Sequence, residues 1–245
     1  MVYLSIIIPA YNEEARIGKT LEETFHYLSD QSYESEVIVV NDGSQDRTCE
    51  VVRDWQARYG TRLHLLENPG NRGKGYSVRS GMMSANGEVL LFFDADLATP
   101  LSEVEVVLQP IIENRYDIVF GSRALDRSLI GARQSLFREM IGRIGNVVQF
   151  IFTGLHFKDT QCGFKAFRRE AARAVFPLQR IEGFGFDPEV LFIASRQGWR
   201  LLEMAVRWNH VPGSKVHVIG TPLRALMEVM TIRWNQLKGR YSQTS

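Results

Sequence analysis

Five short apolar runs, each closed by polar or turn-forming residues, constrain this chain more than any other feature. They are Tyr3–Pro9, Glu36–Val40, Leu63–Leu66, Glu88–Phe93 and Asp117–Phe120. Runs this short and this rich in Ile, Val, Leu and Phe read as strands buried on both faces. Between them lie segments with helical spacing. Ala15–Asp30 carries Ile17, Leu21, Phe25 and Leu28 on one face, and Arg47–Tyr59, Tyr76–Ser84 and Val104–Glu113 follow the same logic. Strands alternating with helices predict an α/β fold, with a mostly parallel central sheet flanked by helices on both faces. Such sheets bind ligands beyond the carboxyl ends of their strands, so the polar residues that close the runs are the first place to look for chemistry.

After Gly121 the rhythm loosens. A polar loop over Ser122–Ala132 leads to an expected long helix over Leu136–Phe152, a turn at Asp159–Gly163 and a short strand over Phe164–Phe167. Helices follow over Arg169–Val175 and Pro188–Arg196, then a strand over Leu201–Trp208 and a last helix over Pro222–Leu237. No linker rich in Pro, Gly or Ser divides the chain. It therefore reads as one domain over residues 1–245, with residues 1–121 binding a nucleotide and residues 122–245 binding an acceptor.

Charge and cysteine content exclude several classes. A net charge of +1 supplies no global field for nucleic acid. Cys49 and Cys162 form no disulfide framework, which fits a reducing cytoplasm. Met1-Val2-Tyr3 runs straight into the first strand, so no secretory signal is expected, and no stretch reaches the ~20 apolar residues of a spanning helix. Gly73-Lys74-Gly75 lacks the spacing of a Walker loop, Gly183-Phe184-Gly185 lacks the third residue of a dinucleotide fingerprint, and no zinc-ligand spacing occurs.

The strand ends carry the chemistry. The first closes on Pro9-Ala10-Tyr11-Asn12-Glu13-Glu14, where Tyr11 can stack on a base, or where Asn12 can simply cap the next helix. The second closes on Asn41-Asp42-Gly43-Ser44, either a ribose or base acceptor or ordinary turn chemistry. The fourth closes on Asp94-Ala95-Asp96. Two carboxylates crowded at a strand end must face solvent, a cation or both, because an unpaired buried charge is costly. Their hard oxygens suit Mg²⁺ or Mn²⁺, with a diphosphate completing the coordination sphere.

Taken together, Ile8-Pro9-Ala10-Tyr11-Asn12-Glu13-Glu14, Asn41-Asp42-Gly43-Ser44-Gln45-Asp46-Arg47-Thr48, Asn71-Arg72-Gly73-Lys74-Gly75, Asp94-Ala95-Asp96 and Gly121-Ser122-Arg123 resemble the family 2 glycosyltransferases in order and spacing. Asp159-Thr160-Gln161-Cys162-Gly163-Phe164-Lys165 and Gly213-Ser214-Lys215 extend the resemblance to the polyprenyl-phosphate sugar synthases, the dolichyl-phosphate β-glucosyltransferases above all. The resemblance implies a single GT-A-type domain and an inverting transfer of a hexose, glucose from UDP-glucose, onto a polyprenyl or dolichyl phosphate with Mg²⁺ or Mn²⁺. It places Pro9, Ala10, Tyr11, Asn12, Glu13, Asp42, Lys74, Asp94, Ala95, Arg123 and Arg133 around the donor, and Asp96 with Asp94 on the metal. Arg138, Ser214 and Lys215 would meet the acceptor phosphate. Arginine suits phosphate because its planar fork binds two oxygens.

One departure and one ambiguity follow. The mannosyl relatives carry a metal-binding glutamine two residues past the acidic pair, where this chain has Ala98; that favours UDP-glucose over GDP-mannose. Asp187, in Phe186-Asp187-Pro188-Glu189, matches the family's catalytic carboxylate, yet Asp-Pro is also an ordinary helix start. A sugar hydroxyl acceptor needs a general base there; a lipid phosphate, already ionised, does not. A hydroxyl acceptor is therefore the alternative reading, and a nucleotidyltransferase a lesser one. The last helix carries Leu223, Leu226, Met227, Met230, Trp234 and Leu237 on one face beside Arg224, Arg233, Lys238 and Arg240. That stripe either packs on protein or lies on a lipid surface, which would place the chain peripherally on the cytoplasmic membrane face.

Overall fold

A computed structural model describes residues 2–130, 150–209, 211 and 220–242. The five apolar runs form strands β1 (Leu4–Ala10), β2 (Ser35–Asn41), β3 (Leu63–Glu67), β4 (Val89–Phe93) and β5 (Ile118–Ser122), each within one or two residues of its expected ends. Two more, β6 (Phe164–Arg168) and β7 (Leu201–Ala205), complete one seven-stranded sheet in the order β3-β2-β1-β4-β6-β5-β7. The helices are α1 (Ile17–Ser29), α2 (Thr48–Tyr59), α3 (Lys74–Ser84), α4 (Val104–Ile112), α5 (Arg169–Val175), α6 (Phe186–Arg196) and α7 (Gly220–Leu237).

Side-chain alternation along the strands divides the core in two. Ile6, Ile8, Val37, Val39, Leu91 and Phe93 pack on one face of the sheet against α1, α2 and α4. Ile7, Ile38, Val40, Leu90 and Phe92 pack on the other face against α3, α5 and α6. Burial on both faces is what makes these strands continuously apolar in the sequence.

The sheet is mostly parallel, as expected, with one exception that matters. Strand β6 runs antiparallel to both β4 and β5, with Phe164 opposite Phe93 and Lys165 opposite Phe92 and Phe120. The chain leaves β5 at the carboxyl edge of the sheet and re-enters the sheet from that same edge. The residues that precede β6, Asp159–Gly163, therefore sit beside Asp94 at the ligand-binding edge.

Three boundaries differ from the sequence reading for physical reasons. Helix α3 begins at Lys74 because Gly73, at φ +108°, makes the turn into it. Helix α6 begins at Phe186, so Pro188 lies inside the first turn, where its missing N–H costs nothing. Strand β7 ends at Ala205, and Trp208 forms only an isolated bridge with Ile130. The helix expected over Leu136–Phe152 falls mostly outside the described residues; 150–152 are helical.

Candidate functional site

The carboxyl edge of the sheet is assembled from hydrogen bonds between loops. At the end of β1, Asn12 adopts φ +52°, its N–H donates to Ser44 Oγ (2.8 Å), and its Oδ1 accepts from Gln45 N (2.7 Å). Asn12 is thus a clamp between the first two strand ends, and not the cap of α1, which is Arg16, four residues later. Glu13 continues the clamp: its N–H donates to Thr48 Oγ1 (2.7 Å), and its carboxylate takes a two-pronged contact from Arg16 at 2.7 and 2.9 Å. Pro9 and Ala10 close β1 in register with Val40 and Asn41, and half-buried Tyr11 follows them.

Asp42 is buried and satisfied by the chain itself. Oδ1 accepts from Arg72 N and Asn68 Nδ2, both at 2.9 Å, and Oδ2 accepts from Gly73 N at 2.8 Å. This carboxylate therefore holds the loop that delivers Lys74. Lys74, the first residue of α3, places Nζ 2.6 Å from Asp94 Oδ1. Burial works against the Lys74 charge, but Asp94 and then Asp187 more than offset it and hold the ammonium above its ordinary range.

The Asp94-Ala95-Asp96 turn is braced from beneath. Thr20 Oγ1 of α1 donates to Ala95 O (2.5 Å), Asp96 Oδ1 accepts from Ala98 N (3.1 Å), and Leu97 is forced to φ +51°. A leucine in that region is uncommon and carries strain, here stored in the turn that aims two carboxylates into one cavity. Asp94, Asp96, Ala98, Arg123, Gln161 and Gly163 line that cavity, with Trp208 across from them. Burial, and then the charge of Asp94, push the Asp96 carboxyl above its ordinary range. Gly163 presses on the Asp94 carboxylate so closely that any Cβ there would overlap it.

Arg123 reaches the same cavity, but its fork is engaged. Nε and Nη2 contact the Asp159 carboxylate at 2.6 and 2.9 Å, and the guanidinium lies 5.8 Å from the Trp208 ring centre. The sequence reading expected that fork to grip phosphate bidentately; Asp159 occupies two of its donors. Burial opposes the charge on each partner, yet each holds the other ionised: Arg123 is raised and Asp159 lowered from the ordinary range. Cys162 is pushed up to about 12 by burial, with Asp159 adding to it, so it stays a neutral thiol.

Asp187 lies in the first turn of α6, 2% exposed, and is not the helix cap. Its Oδ1 is 2.5 Å from the Nζ of Lys165, a fully buried lysine on β6 that also donates to Cys162 O at 2.5 Å. Burial pushes the Asp187 carboxyl upward against the pull of Lys165 and Lys74. Sequence reasoning assigned no role to Lys165 or Asp159, although a lysine inside Phe164-Lys165-Ala166-Phe167 was a visible signal: a charge in an apolar strand must have a partner. Arg133, Arg138, Ser214 and Lys215 lie outside the described residues.

Asp94 and Asp96 fit a divalent cation. They offer hard oxygens on one cavity, and a cation there would offset both the burial of Asp96 and the neighbouring charge of Asp94 that raise its carboxyl. Among the described residues no cluster of three His, Cys, Asp or Glu side chains forms, so such an ion would take its remaining ligands from a bound phosphate or water.

Known proteins share the sequence pattern and the fold of this chain. The family described as glycosyl transferase family 2 matches residues 5–176. A dolichyl-phosphate beta-glucosyltransferase of Trichomonas vaginalis is 40% identical over 229 residues, covering 89% of this chain and 69% of the relative. The dolichyl-phosphate beta-glucosyltransferase of Homo sapiens is 36% identical over 251 residues, covering 97% and 77%. Among solved structures, glucosyl-3-phosphoglycerate synthase from Mycobacterium tuberculosis in complex with Mn²⁺, UDP-glucose and phosphoglyceric acid shares the fold, with a TM-score of 0.68 at 18% identity over 95% of this chain and 80% of that one. An acidic pair at the end of the central strand, the strand ends clamped around it, and a family match over most of the chain identify this protein as a member of the family 2 glycosyltransferases.

Proposed function

We propose that the protein transfers glucose from UDP-glucose to a dolichyl or other polyprenyl phosphate, with inversion at the anomeric carbon. Relatives at 36–40% identity are named dolichyl-phosphate beta-glucosyltransferases, and the Mycobacterium tuberculosis neighbour was solved with UDP-glucose. In the transfer, an oxygen of the acceptor phosphate forms a bond to C1 of glucose as the bond from C1 to the diphosphate breaks, and UDP leaves. Asp96, with Asp94, would hold Mg²⁺ or Mn²⁺, which when bound offsets charge on the leaving diphosphate. Arg123, on the cavity, and Lys74, paired with Asp94 beside it, would add positive charge, and the buried frame would hold the reactants in line. Residues 1–121 supply the donor side of one domain, and residues 122–245 the acceptor side.

The observation that carries this reading is the state of Asp187. A hydroxyl acceptor needs a carboxylate free to take its proton. The carboxylate in that place is buried and bound to Lys165. A phosphate acceptor needs no base. The test is a donor-by-acceptor assay with radiolabelled UDP-glucose, UDP-GlcNAc or GDP-mannose, Mg²⁺ or Mn²⁺, and short polyprenyl phosphates. Label from UDP-glucose is expected in the organic phase; label confined to water-soluble product would overturn the reading.

A lipid acceptor also accounts for α7. Val229, Ile232 and Asn235 are buried, and on the opposite face Met227, Met230, Trp234 and Leu237 are 49–71% exposed. Arg233 and Lys238 flank that stripe, with Lys238 Nζ 4.6 Å from the Trp234 ring centre. Among the described residues no helix is long and apolar enough to cross a membrane. The stripe fits peripheral seating on the cytoplasmic face of an anionic membrane.

A further inference from the structure

Lys165 takes no part in the transfer just described, yet it is a fully buried lysine on β6, between β4 and β5 in the sheet. A buried ammonium is retained only where its partners make up for the water it has lost. Here it has two, Cys162 O and Asp187 Oδ1, with the Phe92 ring 5.4 Å beneath it. Those two partners belong to different elements, and both elements touch the Lys74–Asp94 pair. Cys162 precedes Gly163, which lies directly on the Asp94 carboxylate. Asp187 belongs to α6, whose first residue, Phe186, has its ring centre 6.0 Å from Lys74 Nζ. One ammonium therefore joins the turn before β6 to the start of α6, on either side of the donor-binding carboxylate.

We propose that Lys165 is a positioning residue for the donor. By neutralising Asp187 it leaves Lys74 to Asp94; by holding the Cys162 carbonyl it keeps Gly163 seated against Asp94. Without it, Asp187 competes for Lys74, draws it away from Asp94, and shifts the carboxylate that faces the nucleotide sugar. The inference rests on the phosphate-acceptor reading in one respect: Asp187 is structural, not a base.

Three variants test it: Lys165→Met, Asp187→Asn and the double variant, assayed with UDP-glucose, Mn²⁺ and a short polyprenyl phosphate. Folding is checked by circular dichroism and UDP binding by calorimetry. Lys165→Met is expected to raise KM for UDP-glucose about tenfold or more, with a smaller change in kcat and in KM for the acceptor, since a displacement of about 1 Å in a site costs up to about a hundredfold. The double variant, with no charge left to compete for Lys74, is expected to bind UDP and UDP-glucose better than Lys165→Met. A double variant no better than Lys165→Met, or a Lys165→Met that loses kcat with KM unchanged, overturns the proposal. A different failure marks the phosphate-acceptor reading as wrong: Asp187→Asn and the double variant would both lose about a hundredfold in kcat while UDP binding stayed normal. Should Lys165→Met not fold, Lys165→Gln removes the charge and keeps a donor for Cys162 O. It is expected to weaken UDP-glucose binding in the same way, and wild-type binding by it would refute the role.

Discussion

Asp42 offers the sharpest separation between a residue that touches the nucleoside and one that builds the site. Its carboxylate accepts three hydrogen bonds from the chain, at 2.8–2.9 Å, from Arg72 N, Gly73 N and Asn68 Nδ2. Asp42→Asn keeps the shape and changes the chemistry. With its oxygen toward Arg72 and Asn68, the asparagine turns an NH₂ toward the Gly73 N–H, so one bond becomes donor against donor. The other two fall from charge-assisted to neutral strength. Hydrogen bonds to a charged group are worth about 1.5–3 kcal/mol and neutral ones about 0.5–1.5, so the net loss is about 3 kcal/mol. For a chain of this size that lowers Tm by about 6–12 °C. Thermal unfolding with and without UDP reads both quantities. The expected result is a large fall in Tm without nucleotide, together with weaker UDP-glucose binding, because the loop released is the one that delivers Lys74. If Asp42→Asn melts within a degree or two of wild type yet loses UDP affinity, the carboxylate is kept for the nucleoside and the bracing argument is wrong.

Three further outcomes follow from the same geometry. Asp96→Asn is expected to lower metal-dependent turnover by about a hundredfold or more while leaving the fold intact, and a titration with Mn²⁺ at fixed UDP-glucose checks whether the loss is in metal use. Gly163→Ala places a methyl group where the Asp94 carboxylate lies, so KM for UDP-glucose should rise about tenfold or more with Tm little changed; wild-type kinetics would show that Asp94 has room to move. Asp117 is held below the ordinary carboxyl range by Arg200, which contacts it at 2.7 and 2.9 Å. A carboxyl lowered in the folded state adds stability above its unfolded range and loses it as pH falls, so Asp117→Asn should melt a few degrees below wild type at pH 7, and the two curves should converge below about pH 4.

The parallel part of the sheet was legible because burial on both faces leaves runs such as Val89–Phe93 with no polar residue to confuse the period. Strand ends were legible to within one or two residues because Pro, Gly and acids mark them. The direction of β6 was not legible. A five-residue strand reads the same both ways, and its orientation is set by where the segment between β5 and β6 returns to the sheet. The exposed stripe on α7 was half legible: the spacing of Met227, Met230, Trp234 and Leu237 predicted one face, and only the fold shows that it points away from the core.

The site was legible in Asp42, Lys74, Asp94, Asp96, Arg123 and Asp187 and illegible in how its charges pair, and the difference has one cause. A charged residue at the end of a strand or the start of a helix announces itself locally, whereas its partner arrives from a distant segment: Lys74 to Asp94, Arg123 to Asp159, Lys165 to Asp187. Once those pairs are drawn, the charges in this network nearly cancel, with Lys74, Arg123 and Lys165 against Asp94, Asp159, Asp187 and Asp96. Asp96 is the carboxylate left over, and burial, with the charge of Asp94 adding to it, holds its carboxyl above the ordinary range. A pocket that binds only its own charges has no reason to keep that imbalance. A pocket suited to one divalent cation with a diphosphate would have one: the surplus carboxylate would anchor the ion, and the ion would offset charge on the phosphate. The internal pairs then keep Lys74 and Arg123 charged and in place while that cargo comes and goes.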